Sequence, residues 1–150
     1  MSFNESNNSP NRKFSVAMCV YGKDNPQHFS EAVESIINQT KKPDEVILVV
    51  DGPVPNSIQQ VVEKFESETW FNVIWLSENV GHGNARRIGL ENCSNELIAL
   101  MDADDISVPH RFEKQLACFS QDENISIVGG NIKEFIDTVD NVVGIREVPL

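Results

Sequence analysis

Basic residues are scarce in this sequence. Twelve Lys and Arg stand against 23 Asp and Glu, which gives a formal net charge of −11. A surface of that sign repels nucleic acid and anionic lipid, so nucleic acid is not an expected partner. The cysteines, Cys19, Cys93 and Cys118, are few and widely spaced, and they form no CxxC pair. This pattern favours reduced thiols in a cytosolic protein over a disulfide framework or a zinc site.

Long apolar runs are missing as well. No stretch reaches the length of a membrane span, and the opening segment MSFNESNNSPNRK lacks the apolar centre of a signal peptide. We expect residues 1–13 to form a flexible tail. The remaining residues, 14–150, suffice for one domain with a real core, because 40% of the chain is hydrophobic.

What the sequence does contain is a regular alternation of apolar runs and amphipathic segments. Strands are predicted over 14–21, 45–50, 71–76, 96–101 and 125–130, helices over 26–40, 56–67, 83–93 and 109–120, and a hairpin around Asp140-Asn141. Strands that alternate with helices imply right-handed crossovers and an α/β fold with a mostly parallel sheet, covered on both faces.

Polar and glycine residues follow each of the first four predicted strands. In an open parallel sheet, ligands bind beyond the carboxyl ends of the strands, where the winding direction reverses. The segments at that edge are Tyr21-Gly22, Asp51-Gly52, 79–83 and 102–105. The sequence therefore predicts a ligand site along this edge.

Three carboxylates, Asp102, Asp104 and Asp105, crowd into the four residues after the fourth strand. Like charges so close repel each other unless water, donors or a cation compensate. In an extended segment, Asp102 and Asp104 point the same way, and such a pair suits Mg²⁺ or Mn²⁺ shared with substrate phosphates. The alternative is that Asp105 or Ser107 caps the next helix and the other acids are solvated.

Asp51 also has two interpretations. It precedes Gly-Pro, so it either forms a turn by accepting backbone N–H groups or accepts a base N–H or sugar hydroxyl of a nucleotide.

The segment ENVGHGNARRIGL brings glycines to a predicted helix N-terminus, where backbone N–H groups attract phosphate. Arg86 and Arg87 diverge by about 100° on that helix, so only one of them can face a given ligand and the other faces solvent. The alternative is that each is an ordinary surface charge. His82 has two interpretations, a ligand-binding residue or a solvated loop histidine, and a lone loop histidine is more often solvated.

Four stretches together resemble the GT-A type, family 2 glycosyltransferases. They are SVAMCVYGKDNPQHFSEAVESIINQT, PDEVILVVDGP, ENVGHGNARRIGL and LIALMDADDISVPHRFEKQ, in unbroken order between Phe14 and Gly130. The likeness is greatest to bacterial enzymes of exopolysaccharide, capsule and lipopolysaccharide synthesis. It implies a metal-dependent enzyme with a nucleotide-sugar donor, and residues 14–150 as the donor-binding domain.

The resemblance also implies roles for particular residues. Asp51 would contact the uracil or its ribose, Asp102 would lie near the ribose and the metal, and Asp104 would ligate Mn²⁺ or Mg²⁺, with Asp105 adjacent. The donor contacts would be completed by Val20, Tyr21 and Arg86. Two departures put further base contacts in doubt: the first strand ends CVYG where the family often has Pro-Thr-Tyr-Asn, and VDGP keeps one acid of Asp-Asp-Gly-Ser.

The activity implied is inverting transfer of a sugar, by default from a UDP-sugar, to a saccharide or lipid-linked acceptor. The general base of the family lies well downstream of the acidic motif, so we expect it beyond Leu150 and expect this chain to be inactive alone. A lipid-linked acceptor implies work at the inner face of the plasma membrane. An apolar edge left exposed in the sheet would favour a homodimer.

Two other functions use Mg²⁺ beside strand-end acids. A haloacid-dehalogenase-like phosphatase carries its acidic pair after the first strand, whereas the pair here follows the fourth. A non-catalytic, receiver-like module carries acids after the first and third strands, where this chain has Tyr21 and Ser77-Glu78.

Overall fold

The computed structural model describes residues 12–148. Residues 1–11 of the predicted tail lie outside the described residues. Two compact units divide the chain, one holding residues 12–113 and the other residues 114–148. Among the described residues, no helix is both long enough and apolar enough to cross a bilayer.

The first unit is a parallel sheet covered by helices. Its strands lie in the order β3-β2-β1-β4, and all three pairings are parallel. The elements are β1 (Phe14–Tyr21), α1 (Pro26–Ile37), β2 (Glu45–Asp51), α2 (Asn56–Phe65), β3 (Phe71–Trp75), α3 (His82–Glu91) and β4 (Leu97–Met101), followed by the start of α4 (Arg111–Gln121). The predicted alternation of four strands and four helices is confirmed.

The two central strands are apolar because both of their faces are covered. Every residue of β1 except Tyr21 is buried, and so is every residue of β2 except Glu45. Tyr21 pairs with Asp51 at the carboxyl end of the ladder. Since Met18 pairs with Met101, β4 ends beside the same edge.

The helices take opposite faces of the sheet. On the α3 face, Cys19, Val49 and Ala85 form a buried cluster, and a Cβ at Gly89 would lie 3.5 Å from Val49 Cγ2. The absent side chain at Gly89 therefore lets α3 approach the sheet closely. The chain winds one way from β1 to β3 and then returns past β1 to β4, so right-handed crossovers place α1 and α2 on the other face, where they pack together.

The second unit contains most of α4 and an antiparallel hairpin. Strand β5 (Ile132–Phe135) pairs with β6 (Val142–Arg146), which confirms the hairpin predicted around Asp140-Asn141. Asp137 adopts a positive φ of 64° in the connecting turn. Arg146 forms an ion pair with Glu134 across the strands.

The strand predicted over 125–130 is wrong. Residues 125–130 form no strand, and Ile127 is 88% exposed. An extended segment gains stability only when its backbone groups find a ladder partner, and the structure pairs this one with no strand among residues 12–148. Gly129-Gly130 weakens its strand preference further.

Candidate functional site

A cavity of about 470 Å³ opens at the carboxyl ends of β1, β2 and β4. It lies where the winding reverses, because β2 and β4 leave β1 in opposite directions. The residues that line it are Cys19, Val20, Tyr21, Asp24, Asp51, Asn79, His82, Asp102, Ala103 and Asp104. Five residues predicted for the site, Val20, Tyr21, Asp51, Asp102 and Asp104, are thus brought together.

Asp51 joins two loops at the base of the cavity. It is buried, its Oδ1 accepts the Val80 N–H at 2.7 Å, and its backbone carbonyl accepts Asn79 Nδ2 at 3.2 Å. Among the described residues no donor bonds to Oδ2, and no buried side-chain oxygen there is left without a partner, so Oδ2 is open to the cavity. Asp51 therefore both accepts a backbone N–H and offers an acceptor to a ligand.

The turn after Asp51 requires glycine. Gly52 has a φ of 84°, and a Cβ there would lie 2.6 Å from the Asn79 backbone nitrogen. A side chain at Gly52 would be strained and would push away the loop that holds Asn79 and Val80.

The acidic residues after β4 do not form an extended segment. The strand ends at Met101, and Ala103-Asp104 form a turn. The sequence predicted that Asp102 and Asp104 point the same way because side chains alternate along an extended segment. That reason is wrong, since Ala103 between them also lines the cavity. The turn nevertheless brings both carboxylates to the cavity.

Arg86 is not on the cavity wall. Its guanidinium forms an ion pair with Asp102 Oδ1, so it reaches the site through that carboxylate. The neighbouring Arg87 is exposed and pairs with Glu91 at 2.7 Å. One arginine thus faces the site and the other faces solvent, as predicted.

Asp24 is a site residue that the sequence analysis missed. Its Oδ2 accepts the Tyr21 N–H at 2.9 Å, which closes a tight turn after β1. Burial raises the pKa of Asp24, an effect that this backbone hydrogen bond reduces and the charge of Asp104 increases. The available signal was its place in KDNP, between the end of β1 and the capping residue of α1, Asn25.

Cys19 was not predicted to be a site residue either, whereas Asn79 and His82 were predicted only as part of segment 79–83 at the ligand edge. His82 is exposed as expected, yet it lines the cavity, and its Nδ1 lies 3.5 Å from Cys19 Sγ. Burial raises the pKa of the Cys19 thiol, while the charge of Arg86 opposes the shift. Cys19 lies inside an apolar strand, where nothing in the sequence distinguishes a cavity-lining residue from a core residue.

The acidic residues suit a divalent cation whose remaining coordination positions are filled by a bound ligand. Burial raises the pKa of Asp105, and the charges of Asp102 and Asp104 raise it further, because the three acids lie close together. No group of three or more His, Cys, Asp or Glu within residues 12–148 could hold a metal ion alone. Two carboxylates with phosphate oxygens and water are a usual Mg²⁺ environment, so Asp102 and Asp104 fit such an ion.

The cavity thus offers three kinds of chemistry. Tyr21, 42% exposed, presents a ring on which a planar base can stack, and Asp51 presents an acceptor. Asp102 and Asp104 present a negatively charged rim. An anion meeting that rim is repelled unless a cation bridges the two.

Comparison with known proteins identifies the same family that the sequence motifs resemble. The profile of Glycosyl transferase family 2 matches residues 15–148. The amylovoran biosynthesis glycosyltransferase AmsE of Erwinia amylovora is 36% identical over 81% of this chain and 46% of its own length.

A second relative is the UDP-Gal:alpha-D-GlcNAc-diphosphoundecaprenol beta-1,3-galactosyltransferase of Escherichia coli. It is 34% identical over 91% of this chain and 50% of its own length. The chain therefore spans about half the length of the curated relatives it matches.

Solved structures agree with the predicted architecture. TarS of S. aureus, residues 1–349 in complex with UDP-GlcNAc, superposes with a TM-score of 0.63 at 26% identity, over 73% of this chain and 31% of that one. The predicted GT-A fold, with its mainly parallel sheet, is confirmed.

Proposed function

The chain belongs to glycosyl transferase family 2, and from that premise we propose that the cavity binds the nucleotide part of a nucleotide-sugar, by default a UDP-sugar. We further propose that the whole protein passes the sugar to a saccharide or lipid-linked acceptor in bacterial surface polysaccharide synthesis. Because the chain belongs to this family, we do not propose the phosphatase or the receiver-like module as its function.

One observation carries the proposal. Tyr21, Asp51, Asp102 and Asp104 are up to 83 positions apart in sequence, yet they line one cavity at the switch point of the sheet. A base-stacking ring, a buried acceptor and a pair of carboxylates are the groups that a base, a ribose and a metal-bound diphosphate require.

Each group has a proposed task. Tyr21 and Val20 hold the base, Asp51 Oδ2 accepts its N–H, and Asp102 orients the ribose while Arg86 balances its charge. Asp102 and Asp104 would hold Mn²⁺ or Mg²⁺, which when bound supplies Lewis-acid stabilisation of the departing diphosphate. These residues bind and orient the donor before transfer.

Deprotonation of the acceptor requires a general base on the opposite face of the sugar. By resemblance to the family we assign that base to a position downstream of the acidic motif and beyond Leu150, and we propose that the 150-residue chain binds donor but transfers sugar poorly. Robust transfer by this chain would contradict that assignment.

Relatives support the donor and acceptor classes of the proposal. The name of the E. coli relative specifies a diphosphoundecaprenol acceptor, and the TarS structure contains UDP-GlcNAc. A lipid-linked acceptor would place the whole protein at the inner face of the membrane.

Self-association is a separate proposal. The hairpin exposes apolar side chains such as Val143 and Ile145, 58% and 60% accessible, and such surfaces promote association. Equilibrium sedimentation that shows only monomer at high concentration would contradict it.

Calorimetric titration with UDP, GDP, CDP and ADP, each with and without Mn²⁺, tests the binding proposal. We expect UDP to bind best and to require Mn²⁺ for its full affinity. Equal affinity for all four nucleotides would remove the assigned contact of Asp51 with the base, whereas stacking on Tyr21 is compatible with any base.

A further inference from the structure

The segment between β4 and α4 carries the acidic residues without regular secondary structure. Residues 102–110 form turns and irregular backbone. Such a segment holds a fixed shape only when its backbone groups find partners elsewhere. The partners of Ser107, Val108 and Phe112 identify what fixes it.

Gln39, just past the end of α1, supplies most of those partners. It is only 3% exposed. Its Nε2 lies 3.2 Å from Ser107 O, 3.1 Å from Ser107 Oγ and 2.7 Å from Val108 O, while its Oε1 accepts the Phe112 N–H at 3.3 Å. One buried amide is thus bonded both to residues 107–108, near the end of this segment, and to the first turn of α4.

Two neighbours of Gln39 extend the same junction. Ser35 Oγ accepts the Ser107 N–H at 3.0 Å, and the Thr40 N–H donates to Pro109 O at 2.9 Å. The end of α1 is therefore bonded to three consecutive parts of the segment.

Arg111 closes the segment from its other side. Its guanidinium donates to Leu100 O at 2.9 Å and to Met101 Sδ at 3.4 Å. This contact ties the beginning of α4 to the last residues of β4. Residues 102–105, which we call the acidic turn, therefore lie between two stretches of chain that hydrogen bonds hold in place.

We propose that Gln39 is a positioning residue for the acidic turn, holding Asp102 and Asp104 at the spacing that a metal–diphosphate needs. Gln39 is not among the residues that line the cavity, so it acts through Ser107, Val108 and Phe112. The inference rests on the proposed function, since it assigns Gln39 a role in the metal-dependent part of donor binding.

Gln39→Glu is the variant that tests it. Glutamate keeps the size of the side chain and an acceptor for Phe112, but it sets an oxygen against the carbonyls of Ser107 and Val108. Gln59→Glu is the matched control, because it makes the same charge change at an exposed position of α2, where the Gln59 side chain bonds only to Glu63 of its own helix.

Three readouts separate positioning from general stability: hydrogen exchange of residues 100–110, the gain in UDP affinity on adding Mn²⁺, and uridine binding without metal. In Gln39→Glu we expect faster exchange in 100–110 but not in β2. The Mn²⁺ gain should fall about tenfold, the lower range for lost outer contacts of metal sites. Uridine affinity should fall much less than the Mn²⁺ gain, because only its ribose contact with Asp102 involves the acidic turn and the base side of the cavity is untouched.

Should Gln39→Glu not fold, Ser107→Ala decides, because it removes a single acceptor of Gln39; about a threefold fall in the Mn²⁺ gain is expected. Unchanged exchange in 100–110, or equal losses of UDP and uridine binding, would overturn the inference. A wild-type protein without any Mn²⁺ gain would contradict the proposed function instead, and the exchange comparison would still decide the role of Gln39.

Discussion

Asp51 uses its two carboxylate oxygens for different purposes. Oδ1 holds the Val80 N–H, and Oδ2 is the acceptor proposed for the base. In Asp51→Asn the amide oxygen can keep the bond to Val80, which turns an N–H₂ group toward the cavity. A donor then faces a donor, so we expect UDP affinity to fall at least about tenfold, as when a polar site loses its partner.

Asp44→Asn is the control for that change. Asp44 Oδ2 accepts the Phe14 N–H at 3.1 Å at the opposite end of the sheet, and an amide oxygen can replace it there. Calorimetry should show unchanged UDP affinity for Asp44→Asn. Full UDP affinity in a folded Asp51→Asn protein would refute the role given to Oδ2.

Glu45 links the amino-terminal ends of the strands. Burial alone would raise its pKa, but hydrogen bonds from the Ser15 hydroxyl and from the Ser94 hydroxyl and N–H outweigh burial, so the pKa lies below its ordinary value of 4.5. A carboxylate with a lowered pKa adds stability above pH 4.5, and that stability is lost as the pH falls through the folded-state value.

Glu45→Gln should therefore destabilise the protein at pH 7 by about 1 kcal/mol, because a neutral amide accepts on one side only. The difference from wild type should shrink as the pH falls below 4.5. Urea unfolding at several pH values measures it, with exposed Glu68→Gln as the control. A difference that stays constant across this range would contradict the account.

Among individual residues, the sequence predicts as members of the site those that directly follow apolar strands, such as Asp51, Asp102 and Asp104. It does not predict Asp24, and it places Asn79 only within segment 79–83 at the ligand edge, because the positions of these side chains depend on how loops fold back over the sheet. Gln39 gives no signal at all: a buried glutamine and an exposed one look alike in sequence, and only tertiary hydrogen bonds distinguish them.

The strand-to-loop turn at Gly52 governs how the cavity is assembled. Gly52 has a φ of 84°, and the methyl group of an alanine there would lie only 2.6 Å from the Asn79 nitrogen, so this substitution forces the two loops apart. We expect Gly52→Ala to destabilise the protein by about 2 kcal/mol or more. UDP affinity should fall as well, because Asp51 loses its contact with Val80.

Gly83→Ala is the matched control, measured by the same denaturant unfolding and calorimetry. Nothing lies within 4 Å of a Cβ at Gly83 in α3, so alanine there should leave stability unchanged or raise it by up to about 1 kcal/mol. If both variants have the same stability, the steric role of Gly52 is disproved.

Elements were predictable where local and tertiary preferences agree. Helix α1 begins where Pro26 follows Asn25, whose Oδ1 accepts the Gln27 and His28 N–H groups at 2.8 and 3.2 Å. The apolar run at 125–130 is similar in composition to β4. A strand also needs a neighbouring strand to pair with, and composition contains no information about that pairing.

For the whole molecule, the net charge of −11 opposes anionic ligands. Four aspartates on the cavity wall, Asp24, Asp51, Asp102 and Asp104, add local repulsion. Without a divalent ion, raising the ionic strength from about 0.02 to 0.3 M should therefore strengthen UDP binding, by about two- to fivefold, because salt screens the repulsion. Titrations in KCl measure the trend; UDP affinity that falls with salt would show that positive charge dominates the site.

The most direct test of the account compares the Mn²⁺-dependent gain in UDP affinity between wild type and Asp104→Asn. The account predicts a large gain in wild type and a loss of at least about tenfold in Asp104→Asn, with uridine binding unchanged, because only the metal-bound diphosphate needs that carboxylate. An Asp104→Asn protein that keeps the full gain would contradict the assignment of the acidic turn as the metal–diphosphate site.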